Sequence, residues 1–455
     1  MGQSPNDEAR RTAVIGGGIA GLTAAYRLAR QGHRVTLWEQ DEQLGGLAAA
    51  FELPSGAEIE KFYHHLFMSD RAIIELMEEL GIGSRLRWID SNVGFFYDGR
   101  IYPLTTATDL IRLPFIPVVD RVRLGLITLY LQRISTSSGG WKRFERVTAW
   151  EWLRRTAGQR AFNRVWGAQL RAKFGPRAPE IAMAWFWNKI FLRTQSRPGL
   201  LAREQLGYID GSFNVLIDRL ADACRQLGVD IRTGTGVEAL ERHDESASQF
   251  TLVGADGRRD AADIVVATIP SPLIMRLIPD MPAAYAQQLT SMIYQGAIVI
   301  LLQLDRKLSD IYWLNIGDDR LPFTGIIEHT NLLDPADYGG AHLVYVGKYL
   351  DWDHPFVTMT DDELRHEVVP KLRLVNPGFD DSWIERMWVF RARAAQPIVT
   401  LEYSEKVPSH RSPIAGLYVA NMSQIYPEDR GTNYAVDLGN RIAEIIDEDL
   451  AAGSA

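Results

Sequence analysis

The chain has 455 residues, too many for one simple hydrophobic core, so we expect two or three structural lobes. A formal charge of −8 argues against nucleic acid as a partner, and the single cysteine, Cys224, provides neither a disulfide framework nor a cysteine-based metal site. The N-terminus is too polar for a signal peptide, and no apolar run has the length of a membrane span. These features predict a cytoplasmic protein, either soluble or attached to one membrane face.

The first element is a short apolar strand that runs directly into the pattern Gly16-x-Gly18-x-x-Gly21. Gly16 permits a tight turn, Gly18 lets the backbone approach a pyrophosphate, and Gly21 lets the next helix pack closely on the strand. A second strand ends at Glu39, where an acid can bond a ribose hydroxyl. An ordinary glycine-rich turn would leave Glu39 unexplained. The pattern therefore predicts an adenine dinucleotide at the N-terminus of the helix.

A glycine pair, Gly45-Gly46, follows this acid. With the pair included, the segment resembles the FAD-binding N-terminus of the amine oxidase, protoporphyrinogen oxidase and phytoene desaturase superfamily, which implies FAD as the cofactor. Many members carry an arginine near the pair, where this chain has Leu47 and Ala48, so no role of that arginine is carried over. In this segment the pattern and the resemblance imply cofactor contacts by Gly16, Gly18, Ile19, Ala20, Gly21, Glu39, Gln40, Gly45, Gly46 and Leu47.

Two adjacent histidines, His64 and His65, lie among aromatic residues. Adjacent side chains diverge in helices and strands, and no acid stands at ligand spacing, so we expect no metal here. One buried and one exposed histidine is the plain alternative. Residues 61–67, Lys-Phe-Tyr-His-His-Leu-Phe, resemble the Lys-Tyr-Gly-Pro-His-Ile-Phe stretch of UDP-galactopyranose mutases, which lies beside the flavin. This resemblance implies catalytic positions for His65 and Tyr63.

A helix is predicted over residues 70–83, ended by Gly81 or Gly83, and short strands at 94–101 are expected to lead out of the nucleotide lobe. Residues 101–204 then form a basic helical lobe, with 18 Lys or Arg against 5 Asp or Glu between Arg100 and Leu200. The excess has two interpretations that the sequence leaves open. It is a solvated face, or it is a surface for an anionic or lipid-linked substrate or for anionic lipid, with peripheral membrane contact.

The chain is expected to return to the nucleotide lobe near residue 205, with a helix at 215–227, a hairpin near 250–260 and a buried strand at 263–268. The resemblance to the superfamily implies that Val237 presents its backbone to the adenine and that Thr268 ends a strand close to FAD. Residues 290–400 alternate like strands, interrupted by one helix at 361–373, and match the substrate sheet of the superfamily. Its polar residues Glu328, His329, Lys348 and Gln396 are candidates for orienting a substrate, with Glu328 and Lys348 proposed as catalytic.

Residues 416–439 resemble the second FAD motif of the superfamily, in which a strand and a helix N-terminus approach the flavin. The resemblance implies that Met422 and Asn433 contact the cofactor and that Tyr426 is a catalytic candidate. Most members carry Gly-Asp where this chain has Asn421-Met422, which removes a usual partner of the ribityl chain or phosphate.

The expected fold is α/β. It has a Rossmann-like FAD-binding domain of the GR2 flavoprotein type (residues 1–100, 205–285 and 405–455), an inserted helical lobe (101–204) and a substrate-binding β-sheet domain (286–404). The expected activity is that of an FAD-dependent oxidoreductase, in which an organic substrate (an amine, a tetrapyrrole, an isoprenoid or a glycan-related compound) passes a hydride to flavin N5. Two alternatives stay open, namely a non-redox flavoenzyme acting on a nucleotide sugar and a flavin-stabilised binding protein.

Overall fold

A computed structural model describes residues 9–137, 139–195, 204–243 and 249–453. The end of the predicted basic lobe, residues 196–203, lies outside the described residues.

The strands are, in chain order, β1 (Arg11–Ile15), β2 (Arg34–Trp38), β3 (Ala50–Glu52), β4 (Glu58–Glu60), β5 (Leu66–Phe67), β6 (Leu86–Asp90), β7 (Val93–Tyr97), β8 (Arg100–Pro103), β9 (Gln205–Ile209), β10 (Asp230–Arg232), β11 (Val237–Arg242), β12 (Phe250–Gly254), β13 (Arg259–Ala262), β14 (Ile264–Ala267), β15 (Tyr294–Leu304), β16 (Trp313–Ile316), β17 (Gly325–Glu328), β18 (His342–Leu350), β19 (Ile384–Pro397) and β20 (Leu417–Val419).

The α-helices are, in chain order, α1 (Ile19–Arg30), α2 (Arg71–Glu79), α3 (Ala107–Arg112), α4 (Val118–Gln132), α5 (Ala149–Ala157), α6 (Gln159–Ala161), α7 (Gly167–Phe174), α8 (Met183–Gln195), α9 (Asn214–Gln226), α10 (Ser271–Leu277), α11 (Ala283–Ser291), α12 (Asp361–Val368), α13 (Tyr403–Lys406) and α14 (Thr432–Ala451). Among the described residues, none of these helices has the length and apolar character needed to cross a membrane.

A five-stranded parallel sheet in the order β10-β2-β1-β14-β20 forms the nucleotide lobe. Its central strands are apolar on both faces because both faces are buried. Helices α1, α9 and α14 cover one face, and the hairpin arm of β11–β13 covers the other. Helix α14 approaches α1 closely, and a Cβ at Gly439 would lie 2.7 Å from the Ala20 carbonyl oxygen. Glycine at position 439 is therefore required for this packing, which places the N-terminus of α14 beside the end of β1.

The second large sheet has seven strands in the order β19-β15-β18-β17-β16-β7-β8. The predicted strands of residues 290–400 form most of it, and the predicted helix at 361–373 is α12 followed by a 3₁₀ turn. Strands β7 and β8 also belong here, since β7 pairs in parallel with β16. Residues 93–100, which the sequence assigned to the nucleotide lobe, thus lie in this sheet, because their apolar face completes its core.

Helices α3–α8 pack around an aromatic core that includes Phe144, Phe162, Phe174 and Trp187. The same core includes Ile398, Val399 and Tyr403, which follow β19 in the chain. The helical lobe is therefore packed on the segment that leaves the edge strand of the large sheet. Helix α7 packs directly on the large sheet, since the Thr324 hydroxyl donates to the Ala172 carbonyl at 2.8 Å. Beside this contact, residues of α7, α8, the sheet and the first turn of α14 border one cavity.

Candidate active site

The turn after β1 has the backbone conformation that its glycines predict. Gly16 has a φ of +110°, and a Cβ on Gly21 would lie 1.9 Å from the Gly16 carbonyl oxygen. A Cβ on Gly18, by contrast, would meet no atom within 4 Å. Helix α1 begins at Ile19 and Ala20 directly behind this space, so its free N–H groups point toward the open side of the turn.

Glu39 is buried at the end of β2 and holds this turn. Its carboxylate accepts hydrogen bonds from the Gly17 N–H at 2.6 Å and the Asp41 N–H at 2.9 Å. Burial raises the pKa of Glu39, and the bonds from Asp41 and Gly17 oppose the rise. Residues 232–236 run alongside, since the Thr235 N–H donates to the Glu39 carbonyl and Gly236 lies against Gln40. Val237 follows as the first residue of β11.

The glycine pair lies directly against the glycine turn. The Gly45 N–H donates to the Gly17 carbonyl at 2.9 Å, and a Cβ on Gly46 would lie 3.5 Å from the Gly18 Cα. Both glycines have positive φ, +106° and +56°. We call the surface formed by Gly16–Gly21, Glu39 and Gly45–Gly46 the nucleotide groove, and Leu47 continues it into a cavity.

The other predicted cofactor residues lie around the end of this groove. The Thr268 hydroxyl donates to the Ile15 carbonyl at 2.9 Å, beside Gly16. Met422 follows Asn421, whose Nδ2 donates to the Ile269 carbonyl and joins the ends of β14 and β20. Asn433 lies in the first turn of α14, accepts the Ile73 N–H at 3.1 Å and lines the cavity.

These residues fit an adenine dinucleotide. Open space lies in front of Gly18, where a pyrophosphate would approach the α1 N-terminus, and a buried carboxylate stands at the ribose position. At the other end, the buried Nε of Arg430 has no hydrogen-bond partner among the described residues. Buried donors are almost always paired, so this Nε is suited to donate to a polar group of the cofactor next to the α14 N-terminus.

The cavity has a volume of about 340 Å³ and lies between the large sheet, helices α7 and α8, and the segment 62–67. Aromatic and apolar side chains form much of its wall. Among its lining residues are Leu47, Phe62, Tyr63, His65, Trp166, Trp185, Phe186, Trp313, Tyr349 and Asn433.

The histidine segment predicted to face the flavin lies on this wall. Tyr63 packs against Gly347 of β18, and its hydroxyl lies 3.5 Å from that of Tyr349. The His65 Nδ1 shares a 3.1 Å hydrogen bond with the Tyr312 hydroxyl, and the ring packs edge-on against Trp313. His64 also lines the cavity and shares a hydrogen bond with the Phe62 carbonyl, and burial lowers its pKa to about 4.

Three cations border the same cavity. Lys173 comes from α7, Lys189 from α8 and Arg430 from the loop before α14. The Lys173 Nζ lies 4.8 Å from the centre of the Tyr349 ring, and Arg430 donates to the Tyr349 hydroxyl. Two basic side chains of the helical lobe thus reach the same cavity as Tyr63 and His65.

Asp429 is the carboxylate at the centre of these cations. It forms an ion pair with Lys189 and accepts hydrogen bonds from the Trp185 Nε1 at 3.1 Å and the Gln396 Nε2 at 3.2 Å. Burial alone would raise its pKa, but Lys189, Lys173 and Arg430 hold the pKa of Asp429 well below its ordinary value.

A second carboxylate on the cavity, Asp70, behaves differently. It accepts the Phe67 N–H at 2.9 Å, and burial raises its pKa to about 6 although this bond opposes the rise. Three cations therefore share the cavity wall with one firmly ionised carboxylate, Asp429, and one that is readily protonated. The excess of positive over negative charge on the cavity wall favours an anionic ligand.

Of the other three predicted catalytic residues, Glu328 and Tyr426 do not line the cavity, and Lys348 lines it with its ammonium group turned away. Glu328 accepts hydrogen bonds from the Leu308 and Ser309 N–H groups, and burial raises its pKa to about 7. Lys348 borders the cavity, but its Nζ lies 5.7 Å from the Phe356 ring in the core on the opposite face of the sheet. The Tyr426 hydroxyl donates to Glu145 at 2.8 Å inside the helical lobe.

Among the cavity residues that the sequence did not indicate as site residues are the three cations and their two polar partners, namely Lys173, Lys189, Arg430, Tyr349 and Asp429. For Asp429 and Arg430 a signal was present, because Asp429-Arg430-Gly431 stands directly before the helix of the second FAD motif. The two lysines were part of the recognised basic excess, yet nothing in their spacing separates them from the solvent-exposed arginines of the same lobe.

Comparison with known proteins agrees with this architecture. Residues 19–446 match the family of flavin-containing amine oxidoreductases. A 15-cis-phytoene desaturase from Synechococcus elongatus is 26% identical over 324 residues, which cover 66% of this chain and 67% of that protein. The chain spans between about half and two thirds of the length of the phytoene desaturases it matches.

Solved structures show the same fold over nearly the whole chain. A candidate protoporphyrinogen oxidase from Exiguobacterium sp. 255-15 superimposes with a TM-score of 0.74 at 19% identity, covering 97% of this chain and 99% of that one. Reduced UDP-galactopyranose mutase gives a TM-score of 0.72 at 14% identity and covers 97% of this chain and 94% of that one. The predicted fold and superfamily are confirmed, and the chain belongs to the family of flavin-containing amine oxidoreductases.

Proposed function

We propose that the chain binds FAD along the nucleotide groove and oxidises an anionic organic substrate in the cavity. The observation that carries this proposal is the continuity of the two sites, since Gly45–Gly46 packs on the glycine turn and the next residue, Leu47, already lines the cavity. In this arrangement Gly18 and the α1 N-terminus hold the diphosphate, Glu39 holds the ribose, and Arg430 and Asn433 lie at the flavin end.

FAD supplies an acceptor, at flavin N5, for a hydride from a substrate C–H bond. The chain's own residues bind the substrate, exclude water and take the proton that accompanies the hydride. His65 is suited to accept this proton, because its Nδ1 is oriented by the Tyr312 hydroxyl and an imidazole nitrogen is a common general base. Trp185, Phe186 and Trp313 enclose the reacting centre. The product carries a new double bond, and the two electrons leave to dioxygen or to a carrier.

The anionic group of the substrate binds to Lys173, Lys189 and Arg430. Asp429 holds the Lys189 ammonium and the Trp185 ring in place, so the cations are oriented before the ligand arrives. The sequence relatives include a 15-cis-phytoene desaturase, a coproporphyrinogen III oxidase and a protein named as a flavin-containing monoamine oxidase, so the candidate classes are isoprenoids, tetrapyrroles and amines. A carboxylate on a tetrapyrrole or a phosphate on an isoprenoid satisfies the cationic wall, and a simple cationic amine does not.

Anaerobic mixing of the purified holoprotein with coproporphyrinogen, isoprenyl diphosphates and primary amines tests the proposal. We expect bleaching of the oxidised flavin band by an anionic compound alone, without added reductant. The His65→Ala variant should be reduced at least about tenfold more slowly, whereas an exposed histidine on α12, changed in His366→Ala, should have no effect. Equal rates of flavin reduction in the two variants would show that His65 takes no part in the reaction.

A second candidate function is non-redox chemistry on a nucleotide sugar. It is favoured by the resemblance of residues 61–67 to the mutases, together with three cations that suit a diphosphate. The same experiment separates the two functions. A nucleotide sugar that is converted only after chemical reduction of the flavin, with no net change of its redox state, supports the second function. Bleaching by substrate alone supports the first.

A further inference from the structure

Helix α4 presents a stripe of apolar side chains to solvent. Seven large hydrophobic side chains are exposed among the described residues, and six of them lie on α4. Their exposed fractions range from 42% at Leu129 to 69% at Val119. The six residues are Val118, Val119, Val122, Leu126, Leu129 and Tyr130.

These side chains form one continuous face. At about 100° per residue they fall within an arc of about 120° along the whole helix. The opposite face carries Leu124, Ile127 and Leu131, which are buried in the core of the helical lobe. Helix α4 is therefore apolar on two sides, and the described part of the chain covers only one of them. Large contiguous apolar patches mark sites that bind another apolar surface.

Arginines surround the stripe. Arg123 is exposed beside Val122, and Arg133 follows the last turn of the helix on the same side. Arg143 from the next segment lies with its guanidinium carbon 5.5 Å from the centre of the Tyr130 ring. These residues belong to the region with 18 basic and 5 acidic side chains. An apolar helix face bordered by arginines complements a bilayer that carries anionic headgroups.

We propose that α4 lies flat on an anionic phospholipid bilayer, with its apolar stripe inserted between the headgroups and its arginines bound to lipid phosphates. A helix of 15 residues is about 22 Å long and too short to span a bilayer, so the contact is interfacial. A second copy of the chain is the poorer occupant, because a symmetric contact through this face would bring the same arginines toward each other.

The position of α4 connects this surface to the cavity. The Trp187 Nε1 of α8 donates to the carbonyls of Leu131 and Ile134, each at 3.1 Å, and so ties the end of α4 to α8. Trp185, Phe186 and Lys189 of the same α8 line the cavity. Helix α8 therefore contacts both the docked helix α4 and the cavity.

Co-sedimentation of the flavin-loaded protein with vesicles tests the proposal without any need for turnover. We expect binding to vesicles of equal parts phosphatidylcholine and phosphatidylglycerol, and much weaker binding to phosphatidylcholine alone. The triple variant Val122→Ser, Leu126→Ser, Leu129→Ser should lower the partition coefficient by about tenfold or more. The variant Leu227→Ser is the matched control, because Leu227 is the one exposed large hydrophobic outside α4 among the described residues, and it should bind like the wild type.

A second variant tests the contribution of charge. The double substitution Arg133→Gln and Arg143→Gln should weaken binding to anionic vesicles and reduce the dependence of this binding on salt concentration. All variants change exposed residues, so flavin content and melting temperature should match the wild type and confirm folding. Wild-type protein that remains in the supernatant with anionic vesicles would overturn the proposal, as would a triple variant that binds like the wild type. A wild-type dimer that the triple substitution converts to a monomer would also overturn it, in favour of a second copy.

Discussion

The nucleotide groove is built mainly from backbone, whereas the cavity is built from side chains. In the groove, Gly16, Gly18 and Gly46 bring main-chain atoms together, and the side chains of Glu39 and Thr268 hold the turn by hydrogen bonds to its backbone. In the cavity, side chains from α7, α8, β18 and the loop before α14 converge from distant parts of the chain. Because of this difference, we expect cofactor binding in the groove to be sensitive to added atoms and ligand binding in the cavity to be sensitive to the removal of charges.

The largest effect is expected from a methyl group in the groove. Gly21→Ala places a Cβ 1.9 Å from the Gly16 carbonyl oxygen, so α1 must move away from β1, at a cost of roughly 3 kcal/mol or more in the free energy of unfolding. We expect loss of bound flavin together with a lower melting temperature. Flavin absorbance per chain and thermal denaturation of the flavin-free protein measure both.

Gly18→Ala is the sharper companion to this variant. A Cβ at Gly18 meets no protein atom within 4 Å, and its φ of −72° suits any residue. The flavin-free variant should melt at the wild-type temperature yet bind FAD much more weakly, since the methyl group occupies the space proposed for the diphosphate. Undiminished FAD binding by Gly18→Ala would show that the dinucleotide does not lie there.

Glu39→Ala should weaken FAD binding by about 10-fold to 100-fold, the range expected for loss of a hydrogen bond to a charged group. The exposed residue Glu52 offers a control through Glu52→Ala, which should leave the dissociation constant unchanged. Dissociation constants come from flavin fluorescence titration of the flavin-free proteins. Equal FAD affinity in the two variants would contradict the role given to Glu39.

For the cavity, Lys173→Met should leave FAD bound but weaken an anionic ligand. With inorganic pyrophosphate as the probe, the dissociation constant read from the flavin difference spectrum should rise about tenfold. Lys142→Met removes an exposed lysine from the same lobe and is the control for net charge. The anionic-substrate proposal fails if both variants bind pyrophosphate like the wild type.

The smallest effect is a pH dependence of stability through Asp70. Its pKa is about 6 in the folded chain against about 4 when unfolded, so between these values only the unfolded form is ionised. Stability therefore falls as pH rises from 4 to 6, by at most about 3 kcal/mol, and the loss persists above pH 6. In Asp70→Asn this part of the pH dependence should disappear. Urea denaturation at pH 4.5 and 7 measures the free energy of unfolding of Asp70→Asn and of the control Asp381→Asn, which changes an exposed residue. The same pH dependence in Asp70→Asn as in the wild type would contradict the burial argument.

The same contrast explains how far the sequence could predict this molecule. The groove follows from a short stretch of sequence, because its glycines and Glu39 all lie within residues 16–46 and the glycines act through the backbone. Lys189 and Asp429 form an ion pair between distant segments, and no local pattern indicates that they meet.

The sequence also does not predict which face of the large sheet each strand residue occupies. Lys348 and Gly347 are neighbours on β18, yet Gly347 faces Tyr63 and the cavity while the Lys348 ammonium packs on Phe356. A strand predicts that successive side chains alternate, but the direction of the alternation depends on which face of the sheet the flavin lobe covers. The placement of residues 93–103 in the large sheet has a similar origin, since pairing between β7 and β16 is long-range.

The central claim is that the groove and the cavity together hold FAD, and its most direct test is the identity of the flavin released from the purified protein. Heat denaturation followed by chromatography and mass spectrometry should give FAD, one molecule per chain, from the wild type, and little or none from Gly18→Ala. Release of FMN, or of no flavin from protein reconstituted with excess FAD, would contradict the account.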